Sequence, residues 1–220
     1  MTTRAIRTAI TRPKSSPSRS DGVALWIFAK APIAGGVKSR LARGIGVIAA
    51  AMWYRRTLTK TIATANRSGV SSKIAAAPSA ASFKRASPYH RRVCDQPMGD
   101  LGRRMAAVAK RSRGACMIVG SDIPELSPSL LRRSRRELAR FDLILGPARD
   151  GGYYLIGFKS AAHAFRLFHA VRWSSPHALA DTLANAPKHW RIGFLPMLRD
   201  VDCVEDLKHA EQPPFRLARA

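Results

Sequence analysis

The 220-residue sequence predicts an α/β fold, a three-layer sandwich around a mostly parallel, mixed sheet. Three observations carry that prediction. Residues 23–29 (VALWIFA) and 115–119 (ACMIV) are apolar throughout, as in strands covered on both faces. Segments with helical spacing separate the strand candidates, the alternation that joins parallel strands through crossovers. Glycine, proline and aspartate gather where the apolar runs stop, so the polar chemistry falls at strand ends.

Taken in order, residues 1–21 hold Arg4, Arg7, Arg12, Lys14 and Arg19 with no acid before Asp21, and read as a disordered basic tail. Such a composition also resembles an organelle transit peptide. One domain is expected over 22–212, with a short C-terminal tail at 213–220. The first strand, 23–29, leads into a Pro/Gly loop, Lys30 to Arg40, and then a helix. Residues 47–65 form an Ala-rich helix that ends near Ser68-Gly69. Short strands are expected at 73–77 and 92–96, with 79–91 irregular between them. Asp100 starts a helix running to about residue 111. After the strand at 115–119, a helix covers 127–140, and its Arg132 to Arg136 run reads as a solvated face. A strand at 142–147 is followed so closely by one at 153–158 that the two must be antiparallel. A helix begins near Pro176 with Ser175 as its cap, an edge strand is expected at 191–197, and a short helix follows Asp202.

Charge and cysteine content narrow the function classes. The chain has 38 Lys+Arg against 14 Asp+Glu, a formal net charge of +24, and will attract polyanions such as nucleic acid, acidic lipid or nucleotide phosphates. Cys94, Cys116 and Cys203 lie far apart, which argues against a disulfide framework or a zinc site and fits a reducing cytoplasm. No apolar run approaches the roughly 20 residues of a membrane span.

The acids are more informative than the bases. None occurs between Gly22 and Cys94, and eight of the 14 fall in four places: Asp100; Asp122 and Glu125; Asp150; and Asp200, Asp202, Glu205 and Asp206. In a chain so poor in acids, carboxylates beside glycines at strand ends suggest a cation site. Asp122 follows the strand at 115–119 through Gly120-Ser121, and Pro124 stops the strand from continuing. A carboxylate at the carboxyl end of a central strand can hold a divalent cation, Mg²⁺ or Mn²⁺, and through it phosphates. The plainer alternative is that Ser121 and Asp122 cap the next helix. Lys30, Gly35, Gly36, Lys38, Ser39 and Arg40 form a loop suited to phosphates, with glycines for close approach and bases for charge, although it matches neither the Walker nor the dinucleotide fingerprint. The alternative there is a solvated basic turn. Asp150-Gly151-Gly152 permits a tight turn or a close approach to a ligand. Asp200 and Asp202 share a face if extended, and Asp202 could equally cap the last helix. The six histidines of the sequence show no ligand spacing, and Trp26 and Trp53 read as core.

Five segments, in order, resemble one family. KAPIAGGVKSRLA, MGDLGRRM, VGSDIPEL, LGPARDGGYYLIGF and RDVDCVEDL are similar to the GT-A-type transferases known as selenodomain-associated transferase 1, which are nucleotide-diphospho-sugar transferase-like. The DVDCVEDL ending also resembles molybdenum cofactor guanylyltransferases, and KSRLA the 2-phospholactate guanylyltransferases. The resemblance implies a metal-assisted transferase with a nucleotide-activated donor and a small-molecule acceptor. Glycosyl transfer is the leading expectation and nucleotidyl transfer the alternative. It implies Lys30, Lys38 and Arg40 near phosphates, a divalent cation on Asp122 and Asp202, and Asp150 with Gly151 and Gly152 toward the acceptor, Asp150 in the catalytic role. Asp100 is expected to contact substrate. Ser39 and Cys203 stand where Thr is common, and the family's Asp-x-Asp is reduced here to Ser121-Asp122. A basic nucleic-acid-binding protein is the competing class, with nucleic acid as its partner.

Overall fold

A computed structural model describes residues 22–89, 91–112 and 114–210, so the expected tails at 1–21 and 213–220 lie outside the described residues. In chain order the elements are β1 (Ala24–Lys30), α1 (Ser39–Ile45), α2 (Val47–Ser68), β2 (Ser72–Ala77), α3 (Ala80–Ala86), β3 (Val93–Asp95), α4 (Leu101–Ala109) and β4 (Cys116–Gly120). Then come α5 (Pro128–Arg140), β5 (Leu143–Pro147), β6 (Tyr153–Phe158), a 3-10 turn at Ala161–His163, α6 (Ala164–Leu167), α7 (Ala178–Ala184), β7 (Ile192–Phe194) and α8 (Val204–Ala210).

The strands form one seven-stranded sheet in the order β3-β2-β1-β4-β6-β5-β7. The pairs β1–β2, β1–β4, β2–β3 and β5–β7 are parallel, and β6 runs antiparallel to both β4 and β5. That reversal follows from the tight Asp150-Gly151-Gly152 turn, since a parallel return would need a crossover of a dozen or more residues.

Alternation along β1 sends Leu25 and Ile27 to one face and Trp26 and Phe28 to the other. On the first face they pack with Leu58 and Ile62 of α2 and with Leu131 and Leu138 of α5. On the second, Met105 of α4 and Leu167 of α6 cover Ile118, Leu145, Ile156 and Phe158. Leu25, Ile27, Leu145 and Phe158 are fully buried, and each such side chain contributes about 1.5–3 kcal/mol. With both faces covered, the expected three-layer sandwich is realised.

Some local expectations need correction. The stretch 79–91 is not wholly irregular: Ser79 accepts the Ser82 N–H and opens α3. Ser175 Oγ accepts the His177 N–H, but the helix proper begins only at Ala178. The last strand is three residues long, stopped short of Pro196.

Strand order reverses between β1 and β4, because β2 and β3 lie to one side of β1 and every later strand to the other. A crevice opens at the carboxyl ends of such a pair. Lys30 ends β1 and Gly120 ends β4, so the basic loop and Asp122 emerge into the same crevice.

Candidate active site

One buried phenol ties the two strand ends together. Tyr54, on α2 and 4% exposed, accepts the Lys30 N–H at 2.8 Å and shares a 2.8 Å hydrogen bond with Ser121 Oγ. Burial pushes its pKa up to about 12, so it remains a neutral hydrogen-bonding group. Beyond Lys30 the chain turns at Gly35, whose φ of +78° favours glycine, and the Gly36 N–H donates to Ile33 O. Val37 is buried and anchors the loop, and Lys38 follows with φ +49°, unusual for a residue with a side chain.

The Lys38 ammonium donates to Asp122 Oδ2 at 2.6 Å and to Asp202 Oδ1 at 2.7 Å, with its side chain only 7% exposed. Burial alone would lower its pKa, but the charges and hydrogen bonds of the two carboxylates outweigh burial and hold it well above the usual lysine range. The Trp53 ring, 6.0 Å away, forms another wall for the ammonium. Trp53 is only partly buried, so it is less a core residue than expected.

Asp122 is not a helix cap. The following helix starts four residues past Pro124, and Ser127 Oγ caps it by accepting the Leu130 N–H. Ser121 is likewise engaged by Tyr54 instead of by a helix terminus. Asp202 is not a cap either. Asp206 reaches back from inside α8 to accept the N–H groups of both Asp202 and Cys203 at 3.0 Å, and Cys203 Sγ also lies 3.0 Å from it. Both carboxylates are thereby left for Lys38. Close packing of α8 on α1 brings Asp202 into range, since a Cβ on Gly44 would lie 2.2 Å from Val204 Cγ2, while the end of β4 presents Asp122.

Asp150 lies in the β5–β6 turn, where its Oδ1 accepts the Gly152 N–H at 2.9 Å. Gly151 has φ +84°, and a Cβ there would meet the Pro176 backbone at 2.3–2.7 Å. The turn therefore lies directly against residues 173–178, and the Leu179 N–H donates to Gly151 O. Arg172 and Asp181 brace that segment through two side-chain hydrogen bonds of 2.8 and 2.9 Å.

These parts enclose a cleft of two connected chambers, about 560 and 550 Å³, which share Asp122, Asp202 and Arg40. Lys30, Lys38, Ser39, Arg40 and Arg104 line the basic half, the chamber of about 550 Å³. Asp122, Asp150, Asp200 and Asp202 line the other, acidic half, with Arg40 its sole cation among the described residues. Asp200 is half-buried there; burial first, then Asp150, Asp202 and Asp122, push its carboxyl up to about 6.

Most of the expected site residues thus converge. Lys30, Lys38, Ser39, Arg40, Asp122, Asp150, Gly152 and Asp202 line the cleft, while Gly35, Gly36 and Gly151 shape the turns that carry them. Asp100 does not line it: its carboxylate accepts the Arg103 N–H at 2.8 Å and caps α4, and the next residue, Leu101, forms the wall. Sequence reasoning missed Tyr54 and Trp173, which lie in no motif, and gave no role to Arg104 or Tyr153, although both lie within segments that carry the resemblance. It also left Asp200 without a role, although the two-residue spacing to Asp202 was a usable signal.

Asp122 and Asp202 converge on one cation-sized point, with the lysine ammonium standing where a metal ion would be attracted. Two carboxylates plus donor phosphates and water suit Mg²⁺ or Mn²⁺, which is commonly held that way. Among the described residues no group of three or more His, Cys, Asp or Glu side chains could hold a metal ion by itself.

Comparison with solved structures places the fold. The chain is similar to a proposed nucleotide-diphospho-sugar transferase from Desulfovibrio desulfuricans G20, at 28% identity and TM-score 0.79, over 89% of this chain and 90% of that one. A nucleotidyl transferase from Methanothermobacter thermautotroptrophicus shares the fold at 14% identity and TM-score 0.57, over 85% and 95% of the two chains. Rv0371c from Mycobacterium tuberculosis H37Rv, in a complex with manganese, does so at 16% identity and TM-score 0.53, over 86% and 97%. No curated protein matches the sequence. Among the described residues, no helix is long and apolar enough to cross a membrane. Residues 59–175, just over half of the chain, match the family described as uncharacterized protein conserved in bacteria (DUF2064), and the chain belongs to that family.

Proposed function

We propose that the protein is a transferase that uses a nucleotide-activated donor, a nucleotide-diphospho-sugar, and passes the sugar to a small-molecule acceptor. The observation that carries this reading is the cleft itself, one half basic and the other acidic, meeting at the Asp122–Lys38–Asp202 triad. The 28% identity to a proposed transferase of this type over most of both chains supports it.

In this reading Lys30, Lys38, Ser39 and Arg40 receive the donor diphosphate, and the glycine turn lets the backbone approach it closely. Asp122 and Asp202 would hold a divalent cation, which would supply charge neutralisation on the phosphates. Lys38, which lines the same basic half, stabilises the leaving diphosphate. Asp150 orients the acceptor hydroxyl and takes its proton as the acceptor oxygen bonds to the sugar carbon. The bond from that carbon to the diphosphate breaks, and a nucleoside diphosphate departs.

The four cations of the basic half favour nucleotidyl transfer as a second reading, because they suffice for a triphosphate. Product analysis separates the two: a released nucleoside diphosphate supports sugar transfer, and pyrophosphate supports nucleotidyl transfer. Nucleic-acid binding is supported only by net charge and by the exposed Arg132, Arg133, Arg135 and Arg136. It predicts salt-steep binding that survives Asp122→Ala.

A thermal-shift screen of nucleotide sugars and nucleoside triphosphates, with and without Mn²⁺, tests the proposal. Stabilisation should need the metal, vanish in Asp122→Ala and persist after deletion of residues 1–21. A flat response to every nucleotide would sink it.

A further inference from the structure

We infer that the acceptor has an apolar or aromatic body and bears no anionic group, so that phosphorylated and carboxylated acceptors are refused. This rests on the transferase reading and deepens it by naming the acceptor class.

The acidic half has an apolar floor. Phe28, Ile118 and Ile156 project from β1, β4 and β6 on one sheet face, and Met105 joins them from α4. Ile118, Ile156 and Met105 are 3%, 1% and 4% exposed, so the floor is firmly packed. Tyr153 and Trp173 form a wall with their rings edge to face, centroids 6.3 Å apart, and the Tyr153 hydroxyl is tied to Thr182 Oγ1 at 3.3 Å. A chamber of about 560 Å³ with a fixed aromatic wall is the size and chemistry of a small-molecule site with an apolar ligand face.

The rim sets the charge that can enter. Among the described residues, four acids line this chamber with one cation, although the sequence holds 14 Asp+Glu against 38 Lys+Arg. Chance would have put bases there. Asp122 and Asp202 are engaged by Lys38 from the basic side, which leaves Asp150 and Asp200 facing the interior. The single cation, Arg40, has a side chain 70% exposed and lies 3.9 Å from Asp202. Sites that take phosphate or carboxylate often supply Arg or Lys in paired geometry, and among the described residues lining this chamber only Arg40 carries that charge. With no cation held between Asp122 and Asp202, an anionic group would enter against Asp150 and Asp200 with little to repay its lost water. A neutral hydroxyl or an ammonium meets acceptors of hydrogen bonds instead.

Three probes with a common ring test this: 2-phenylethylamine, 2-phenylethanol and phenyl phosphate, each titrated into the full-length protein by ligand-observed NMR. The amine should bind at least tenfold more tightly than the phosphate, with the alcohol between them. In Asp150→Asn/Asp200→Asn the gap between amine and phosphate should shrink by at least fivefold. Phosphate binding as tight as amine binding would overturn the inference, as would an unchanged gap in the double variant. Failure of all three probes while nucleotides still stabilise the protein would also overturn it and leave the transferase reading intact. Loss of nucleotide binding with the probe ranking preserved would do the reverse, since the ranking is measured without nucleotide.

Discussion

The two halves of the cleft are built by different means. The basic half comes mainly from one continuous run, Lys30 to Arg40, hung on the end of β1 and held by Tyr54. The acidic half is assembled from distant pieces: Asp122 after β4, Asp150 in the β5–β6 turn, Trp173 before α7, and Asp200 before α8. A continuous loop can be shaped by its own glycines. An assembled chamber depends on close backbone contacts between segments, such as that of Gly151 with Pro176.

Several substitutions break or sharpen this contrast. The largest effect belongs to the shared triad. Asp122→Ala should lower transfer by about 10²–10³-fold, the usual cost of losing one electrostatic stabiliser of a leaving group. Asp150→Ala should instead leave donor affinity unchanged by titration calorimetry while transfer falls. Equal loss of donor binding in both variants would show that the halves are not separable.

Next comes Gly151→Val, which forces a branched side chain into a left-handed backbone and against Pro176. It should cost about 1–3 kcal/mol in urea unfolding. Probe binding in the acidic half should weaken, and the nucleotide-induced thermal shift should stay. Tyr54→Phe is milder and acts on the other half. Losing the hydroxyl that links Lys30 to Ser121 should cost about 1–3 kcal/mol, because the buried Ser121 hydroxyl is left without this partner. Donor affinity should fall in that variant and probe binding should not.

The smallest effect is on acidification. Hydrogen bonds from Arg172, first from its side chain and then from its backbone, lower the Asp181 carboxyl to about 2. Since the folded pKa lies below the unfolded value near 3.9, the stabilisation is present above that value and is lost as pH falls toward 2. Amide protection in residues 172–181, relative to the intrinsic exchange rate at each pH, should therefore fall between pH 4 and 2, and Asp181→Asn should abolish the extra change.

Much of this architecture was legible in the sequence. Continuous apolar runs marked the two-sided strands, and the short link after Asp150 required the antiparallel β6. Asp122 and Asp202 stood out because acids are scarce, and Lys38 because it follows Gly35-Gly36 after an apolar strand. The resemblance implied that Asp122 and Asp202 meet, but not that Lys38 joins them; the approach of Asp202 to Lys38 depends on helix packing at Gly44, whose role appears only when Val204 is beside it. The capping alternatives for Asp122 and Asp202 failed for a similar reason. Ser127 and Asp206 were equally eligible caps, and only the actual helix starts choose between candidates a few residues apart. Asp100 went the other way, because its helix does begin immediately after it.

Lys38 and Asp202 lie 164 positions apart in sequence. A contact of that span carries a large loop-closure entropy and forms only after nearer pairings have shortened the effective loop. The parallel pairing of β1, β2 and β4 can therefore be complete while Lys38 still lacks one of its two carboxylates. During synthesis the sheet's central strands emerge long before residue 202, so the competence of the site lags the collapse of the domain and is fixed by the last helix to dock.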